Sequence, residues 1–156
     1  MKVYLSLGTN IGNKEENLTR AIEALSLALG KCLAVSTYHE TTPWGFDSKN
    51  SFLNCAAVFN TETTALQLLD ITENIERELG RTTKSTNGNY SDRIIDIDIL
   101  LCDGEVIETP RLTGPHPLMH KRTFVLAPLA EIAPDAIHPV LKKNIAKLLE
   151  EAETIN

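Results

Sequence analysis

Two aspartates stand two residues apart in a stretch whose other residues favour a β-strand. Asp96 and Asp98 alternate with Ile95, Ile97 and Ile99. Successive side chains of a strand point to opposite faces, so both carboxylates share one face with their Cα atoms roughly 6.6 Å apart. Mg²⁺ takes one or two carboxylates together with water and substrate phosphates, so the pair predicts a site for a magnesium-nucleotide complex. The alternative is a solvated strand face, although Asp is depleted in strands and neighbouring like charges repel.

Basic residues gather around this pair on an otherwise acidic chain. The 156 residues include 15 basic and 21 acidic ones, for a formal net charge of −6. Phosphate tracking along a nucleic acid needs a basic stripe, so we expect no nucleic-acid partner. Six basic residues nevertheless flank the aspartates: Arg81, Lys84, Arg93, Arg111, Lys121 and Arg122. This distribution suits a compact polyanion that brings its own metal.

An aromatic residue and an amide alternate upstream of the aspartates. Phe52 and Asn54 would share one face of a strand, and this combination suits a flat polar ring. An aromatic face stacks on a heterocycle for about 0.5 to 1.5 kcal/mol beyond area burial, and Asn offers both a donor and an acceptor. The alternative places Phe52 in the core and Asn54 at a turn. Trp44, beside Pro43, could likewise be a packed turn residue.

A second polar cluster follows the aspartates. Arginine binds phosphate oxygens with a planar fork, and hydroxyl and imidazole groups also bind them. Taken singly, each such residue is more often a surface ion-pair partner or a hydrogen-bonded histidine. Their density favours phosphate binding, and the cluster comprises Arg111, Thr113, His116, His120, Lys121 and Arg122, with Phe124 just beyond. His39 and His138 lie outside it, and we expect structural or solvent roles for them.

Hydrophobic periodicity predicts three strands and two long helices before residue 81. In chain order these are a strand over 3–7, a helix with a stripe of Leu18, Ile22, Leu25 and Leu29, strands over 32–41 and 52–60, and a helix from Thr64 to Gly80. Asn13 with Glu16 and Thr64 with Gln67 match the capping-box pattern, and Gly30 can end the first helix.

The second half of the chain begins with a polar segment over 81–92, and loops of this length usually carry a function or are disordered. After the aspartate strand, Asp103-Gly104 predicts a hairpin turn leading into residues 105–107. Shorter helices are predicted over 123–133 and 146–152. The β-α-β-β-α-β order predicts an α+β fold: a ferredoxin-like α/β sandwich with an antiparallel sheet, an added β-hairpin and C-terminal helices. We expect residues 1–156 to form a single domain.

The cysteines and the hydropathy pattern indicate the cellular compartment. Cys32, Cys55 and Cys102 form no C-x-x-C pair, which predicts buried thiols in a reducing compartment. The apolar start is too short for a signal peptide, and no segment approaches the roughly 18 apolar residues of a membrane span. We therefore expect a cytoplasmic protein without a membrane partner.

Several motifs together resemble the 6-hydroxymethyl-7,8-dihydropterin pyrophosphokinase family over nearly the whole chain. They are Gly8-Thr9-Asn10, Thr41-Thr42-Pro43-Trp44-Gly45, Phe52-Leu53-Asn54, Gly80-Arg81, the R-x-x-D-x-D run from Arg93 to Asp98, and Arg111-Leu112-Thr113-Gly114-Pro115-His116. The resemblance implies a ferredoxin-like fold and a step of folate biosynthesis. In that step, pyrophosphate passes from ATP to the pterin hydroxymethyl group and AMP is released.

The resemblance also implies a role for each matching residue. Asp96 and Asp98 would bind two magnesium ions that bridge the ATP phosphates. Phe52 and Phe124 would enclose the pterin, with Asn54, Thr41, Thr42, Pro43 and Trp44 at its edge. Arg81 and Arg93 would act in catalysis by stabilising charge on the transferred group. ATP would contact Lys84, Ile99, Arg111, Thr113, His116 and Arg122.

Two other functions remain open from the residues alone. One is a non-catalytic ferredoxin-like regulatory domain that binds a small ligand, but such a domain has no need of Arg81 and Arg93. The other is a metal-dependent phosphohydrolase, which needs a positioned water rather than a pocket of Phe52, Asn54 and Phe124. The expected partners are ATP and 6-hydroxymethyl-7,8-dihydropterin, and we expect a monomer.

Overall fold

The computed structural model describes residues 1–41, 51–80 and 94–155. Its described strands are β1 (Lys2–Thr9), β2 (Cys32–Val35), β3 (His39–Thr41), β4 (Phe52–Asn60), β5 (Asp96–Cys102), β6 (Ile107–Glu108) and β7 (Thr113–Gly114). Its described helices are α1 (Lys14–Leu29), α2 (Ala65–Gly80), α3 (Thr123–Ile132) and α4 (Ile145–Ile155), with a 3₁₀ turn over Met119–Lys121 before α3. This mixture of helices with an antiparallel sheet confirms the predicted α+β class.

In the part of the chain that the structure describes, the main sheet has five strands, and its connected order is β2-β4-β1-β5, with β3 also pairing with β4. Every pairing in it is antiparallel. If β2 and β3 are taken as one interrupted strand, this order is consistent with the predicted ferredoxin-like unit. It places β5, the strand with both aspartates, at one edge of the sheet.

Helices cover both faces of the sheet. One core joins α1 and α2 to inward residues of β1 such as Leu5 and Leu7. The other joins α3 and α4 to the opposite face through Ala56, Leu100 and Leu101. Two consecutive leucines share that face because the pairing of β5 with β1 shifts by one residue between Tyr4 and Leu5, as at a β-bulge.

The predicted helix caps are confirmed. The Asn13 side chain accepts the Glu16 backbone N–H at 3.1 Å, and the Gly30 N–H donates to Ser26 O where the helix ends. Gly30 has a φ of 107°, a conformation that favours glycine. Thr64 Oγ1 accepts the Gln67 N–H at 3.2 Å, and Gln67 Oε1 accepts the Thr64 N–H at 2.9 Å. This reciprocal pair is a complete capping box.

The strand predicted over 32–41 is wrong as a continuous element, because it is divided into β2 and β3. Between them, Ser36 exchanges hydrogen bonds with Ala56, using its hydroxyl as the acceptor. Thr37 then donates its backbone N–H at 2.9 Å to the Glu131 carboxylate of α3. This hydrogen bond to a side chain of α3 lies at the break between β2 and β3.

The hairpin predicted at Asp103-Gly104 is also wrong. Asp103 does turn the chain, with a φ of 50° and a 3.0 Å hydrogen bond from the Glu105 N–H to Cys102 O. However, β6 then pairs with β7 rather than with β5. Asp103 instead exchanges hydrogen bonds with Lys2, donating its N–H and accepting the Lys2 N–H at its side chain. The added hairpin of the fold is therefore β6–β7.

Cysteine placement partly matches the prediction. Cys55 and Cys102 are buried, whereas Cys32 is only half-buried. Burial raises the pKa of Cys55 to about 12, and burial with two nearby carboxylates raises the pKa of Cys102 to about 11. Among the residues that the structure describes, no helix is long and apolar enough to cross a membrane.

Candidate active site

The two aspartates occupy the first part of edge strand β5. Ile95, Ile97 and Ile99 are buried in the core under α1 and α2. The side chains of Asp96 and Asp98 therefore lie on the other face, where both residues are half-buried. This confirms the alternation predicted for the pair.

Strand register joins this carboxylate pair to the upstream amide. Gly8 of β1 pairs with Asn54 on one side and with Asp96 on the other. Because adjacent strands lie about 4.8 Å apart, roughly 10 Å separates the backbones of β4 and β5 at this row. Glycine leaves the floor of that row without a side chain, so a flat ligand has access to the backbone between the amide and the carboxylate.

Asn54 is held firmly beside this floor. Its side chain is 6% exposed, and its Nδ2 donates to Thr41 Oγ1 at 3.2 Å. A Cβ atom added at Gly8 would lie 2.7 Å from Asn54 Oδ1. Thr41 also pairs with Phe52 across β3 and β4. The structure thus brings Thr41, Phe52 and Asn54 together at one end of β4, on the face of the aspartates.

Glu76 is a candidate site residue that the sequence patterns did not predict. Its Oε2 accepts the Ile97 N–H at 2.9 Å, at the outer edge of β5, and it is hydrogen-bonded to Asp96. Burial, together with the negative charges of Asp96 and Asp98, raises the pKa of Glu76 to about 7, although the Ile97 hydrogen bond opposes the shift. The sequence offers one signal for Glu76: it directly follows Ile75, which belongs to the buried stripe of α2. A carboxylate beside such a stripe is partly buried and needs a hydrogen-bond or charge partner.

His116 connects the downstream cluster to the aspartate strand. Its backbone N–H donates to Leu100 O at 3.0 Å, and its Nδ1 accepts the Leu118 N–H at 3.1 Å. In the neutral ring the proton is therefore on Nε2, which is left as a donor. Burial lowers the pKa of His116, the positive charge of Arg122 lowers it further, and Asp96 opposes both effects. The three side chains thus lie within electrostatic reach of one another.

Arg122 and Phe124 lie at the start of α3. The Arg122 guanidinium carbon is 5.7 Å from the centre of the Phe124 ring, a cation–π distance. Phe124 is 42% exposed, which is high for a large aromatic residue beside a helix. Its ring is therefore available to a ligand.

Three other residues predicted to contact ATP differ in exposure and in their partners: Arg111, Thr113 and Ile99. Arg111 forms ion pairs with Asp70 at 2.7 Å and Glu73 at 2.9 Å, both on α2, and these carboxylates raise the pKa of Arg111. Thr113 is exposed on β7. The Ile99 side chain is buried in the core, so only its backbone can meet a ligand. Backbone directions alternate along a strand, so Ile99 presents its polar groups to the same outer edge as Ile97.

Six of the predicted site residues lie outside the described residues. They are Thr42, Pro43, Trp44, Arg81, Lys84 and Arg93.

The chain also matches a known family. The family model described as 7,8-dihydro-6-hydroxymethylpterin-pyrophosphokinase matches residues 4–134. The chain belongs to this family. Membership confirms the predicted resemblance and, with it, the reaction: pyrophosphate is transferred from ATP to 6-hydroxymethyl-7,8-dihydropterin in folate biosynthesis.

Individual relatives support this placement. A 2-amino-4-hydroxy-6-hydroxymethyldihydropteridine pyrophosphokinase of Porphyromonas gingivalis is 47% identical over 138 residues, covering 88% of this chain and 93% of its own length. That of Aquifex aeolicus is 38% identical and covers 96% of this chain and 91% of its own length. The Plasmodium falciparum HPPK-DHPS crystal structure superposes with a TM-score of 0.76 at 18% identity. The superposition covers 96% of the present chain but only 42% of the longer Plasmodium chain. At this identity, it supports the fold alone.

Proposed function

We propose that this chain carries out the family reaction on one face of its sheet, with the pterin beside Asn54 and the ATP phosphates beside Asp96 and Asp98. The observation that carries the proposal is the row of Asn54, Gly8 and Asp96 in adjacent strands. It supports two neighbouring binding sites that meet over a glycine floor. The acceptor hydroxyl and the phosphate chain can therefore approach each other there.

The donor set fits magnesium. Asp96 and Asp98 lie on one face of a rigid strand, and hard cations prefer such oxygen ligands. The raised pKa of Glu76, about 7, reflects both its burial and the negative charge that gathers here. Asp96 and Asp98 would hold the ions, whose positive charge would offset that of the ATP phosphates.

The pterin site rests on three side chains. Phe52 and Phe124 supply the two aromatic faces, and the exposure of Phe124 leaves its ring open for stacking. Asn54 reads the ring edge, because Thr41 Oγ1 occupies only one of its hydrogens and its Oδ1 remains an acceptor. Thr42, Pro43 and Trp44 complete this site in our proposal.

The ATP site uses the downstream cluster. His116 Nε2–H and Arg122 donate to phosphate oxygens beside Asp96, and Thr113 adds a hydroxyl. Arg111 contributes from the β6–β7 connection, where Asp70 and Glu73 already orient it. The outward backbone of Ile99 offers hydrogen bonds to the adenine edge, and Lys84 adds a further cation.

The chemical step needs positioning and charge stabilisation rather than a protein nucleophile. The pterin hydroxyl oxygen forms a bond to the β-phosphorus in line, as the bond from that phosphorus to the α–β bridging oxygen breaks. AMP leaves with that oxygen, and the hydroxyl proton passes to solvent. Arg81 and Arg93 stabilise charge on the transferred group in this proposal.

The test is product analysis. The protein is incubated with ATP, magnesium and 6-hydroxymethyl-7,8-dihydropterin, and the nucleotides are separated by chromatography. The expected result is AMP that forms only when the pterin is present. Formation of ADP, or AMP release that does not depend on the pterin, would contradict the proposal.

A further inference from the structure

A lysine at the start of α1 lies where local helix energetics do not favour it. Lys14 is the first residue of α1, and the first turn otherwise holds the acidic residues Glu15 and Glu16. The N-terminus of a helix carries a partial positive charge, so it stabilises acids and repels cations. The Lys14 side chain makes a tertiary contact instead.

The partner in that contact is Ser51, the residue directly before β4 and Phe52. Lys14 Nζ donates to the carbonyl oxygen of Ser51 at 3.1 Å and to its hydroxyl at 3.1 Å. The interaction is partly buried and joins residues 37 positions apart in the chain. Two donors of one ammonium group thus hold both oxygens of Ser51.

The held carbonyl belongs to the same planar peptide unit as the backbone nitrogen of Phe52. Holding this plane fixes the direction of the N–Cα bond of Phe52, which lies in it, and so limits the directions in which the ring can leave the strand. Phe52 is the first residue of β4, and among the described residues its strand partner is Thr41 of short strand β3. Its neighbour Asn54, in contrast, is secured by β1 and by the Thr41 hydroxyl.

We propose that Lys14 is a positioning residue that fixes the Phe52 wall of the pterin site through Ser51. The inference rests on the proposed function, because it assigns a role to the pterin wall. It involves no direct contact of Lys14 with either substrate. Loss of the contact is expected to weaken pterin binding while nucleotide binding stays unchanged.

The experiment measures binding of both ligands by calorimetry to Lys14→Met, a variant that keeps an unbranched side chain, one atom shorter, but removes its donors. The dissociation constant of the pterin should rise about fivefold or more, the size expected for loss of one ordinary hydrogen bond, with that of a non-hydrolysable ATP analogue unchanged. Lys14→Arg should recover most of the affinity. Lys147→Met, at an exposed lysine of α4, is the matched control and should bind both ligands normally.

Unchanged pterin affinity in Lys14→Met would overturn the inference, and so would an equal loss of affinity for both ligands. If that variant does not fold, Ser51→Ala removes only the hydroxyl contact and should cause a smaller loss that is again confined to the pterin. Failure of the proposed function has a different signature. It would appear as missing pterin binding in the wild-type protein and missing pterin-dependent AMP.

Discussion

Gly8 has a role that depends on its lack of a side chain. It separates Asn54 from Asp96 in the sheet, and an added Cβ would lie 2.7 Å from Asn54 Oδ1. The clash is with the side-chain amide of Asn54 and not with backbone, so the added methyl group would displace the amide from its position while the strands stay paired. We therefore expect Gly8 to matter for ligand contact more than for folding.

Gly8→Ala is accordingly expected to weaken pterin binding about tenfold, the equivalent of roughly 1.4 kcal/mol, because Asn54 loses its position at the ring edge. Titration calorimetry with the pterin and with an ATP analogue checks this. Gly104→Ala is the control, because no atom lies within 4 Å of its added Cβ. A normal pterin affinity in Gly8→Ala would exclude Asn54 from pterin recognition.

Asp96 and Asp98 act through their charge in the proposed site. Asp96→Asn keeps the shape of the side chain but removes a negative oxygen ligand, so turnover is expected to fall by on the order of 10² or more. Steady-state AMP formation over a magnesium titration provides the measurement. Asp135→Asn, at an exposed residue outside the site, should retain turnover. Wild-type turnover of Asp96→Asn at saturating magnesium would remove Asp96 from the metal site.

Among the elements, α2 contacts both the aspartate strand and Arg111, which are two parts of the proposed ATP site. It carries Glu76, which binds the edge of β5, and the Asp70 and Glu73 pair that binds Arg111. Its first turn is held by the capping box of Thr64 and Gln67. Loss of helical structure in α2 would therefore remove a contact that positions β5, the strand with Asp96 and Asp98.

Thr64→Ala removes the oxygen that accepts the Gln67 N–H, and it should lower the free energy of unfolding by about 1 kcal/mol. Urea denaturation followed by circular dichroism measures this change. Thr64→Ser retains the hydroxyl and should remain close to wild type. Equal stability of Thr64→Ala and wild type would mean that the cap does not contribute.

The connection between α3 and α4 depends on the ring of His138. Its Nδ1 accepts the N–H groups of Val140 at 3.3 Å and Leu141 at 3.1 Å. Burial lowers the pKa of His138, and His120, whose ring lies 6.3 Å away, lowers it further. Protonation of Nδ1 would convert an acceptor of two hydrogen bonds into a donor.

This arrangement predicts a loss of stability in mild acid. Because the folded pKa lies below the unfolded value of about 6.5, the unfolded chain binds the proton first as the pH falls. The free energy of unfolding should therefore decrease as the pH falls through and below that value. His138→Asn keeps an acceptor near the same position and cannot titrate, so it should show a flatter dependence in urea denaturation between pH 7 and pH 5. Parallel curves for the two proteins would contradict this assignment.

Local sequence signals predicted most helices and strands because the interactions that define their ends and faces are local. The Asn13 and Thr64 caps join residues three positions apart, and the alternation of β5 follows from Asp96 and its neighbours. The errors arose from long-range partners. Glu131 takes the hydrogen bond of Thr37 from 94 residues away, and Glu76 binds Ile97 around the edge of the sheet. No short sequence window contains both members of such pairs.

At the scale of the whole molecule, one sheet separates two hydrophobic cores. Leu25 of α1 is fully buried in the first core, and Leu148 of α4 is 2% exposed in the second. The site lies at the end of the face that carries the second core, but the strands that position it are held from both sides. Disruption of either core would therefore loosen strands that the other core also packs against.

Single substitutions in the two cores should therefore act on the same unfolding transition. Leu25→Ala and Leu148→Ala are each expected to lower the free energy of unfolding by about 2 to 5 kcal/mol, since each leaves a cavity. Hydrogen exchange measured by mass spectrometry on peptides from α1 and α4 separates the two sides. Both peptides should lose protection together in both variants, because unfolding of a small domain is cooperative. Loss of protection confined to α4 in Leu148→Ala would show that the second core unfolds independently, while β5 and its aspartates keep the support of the first.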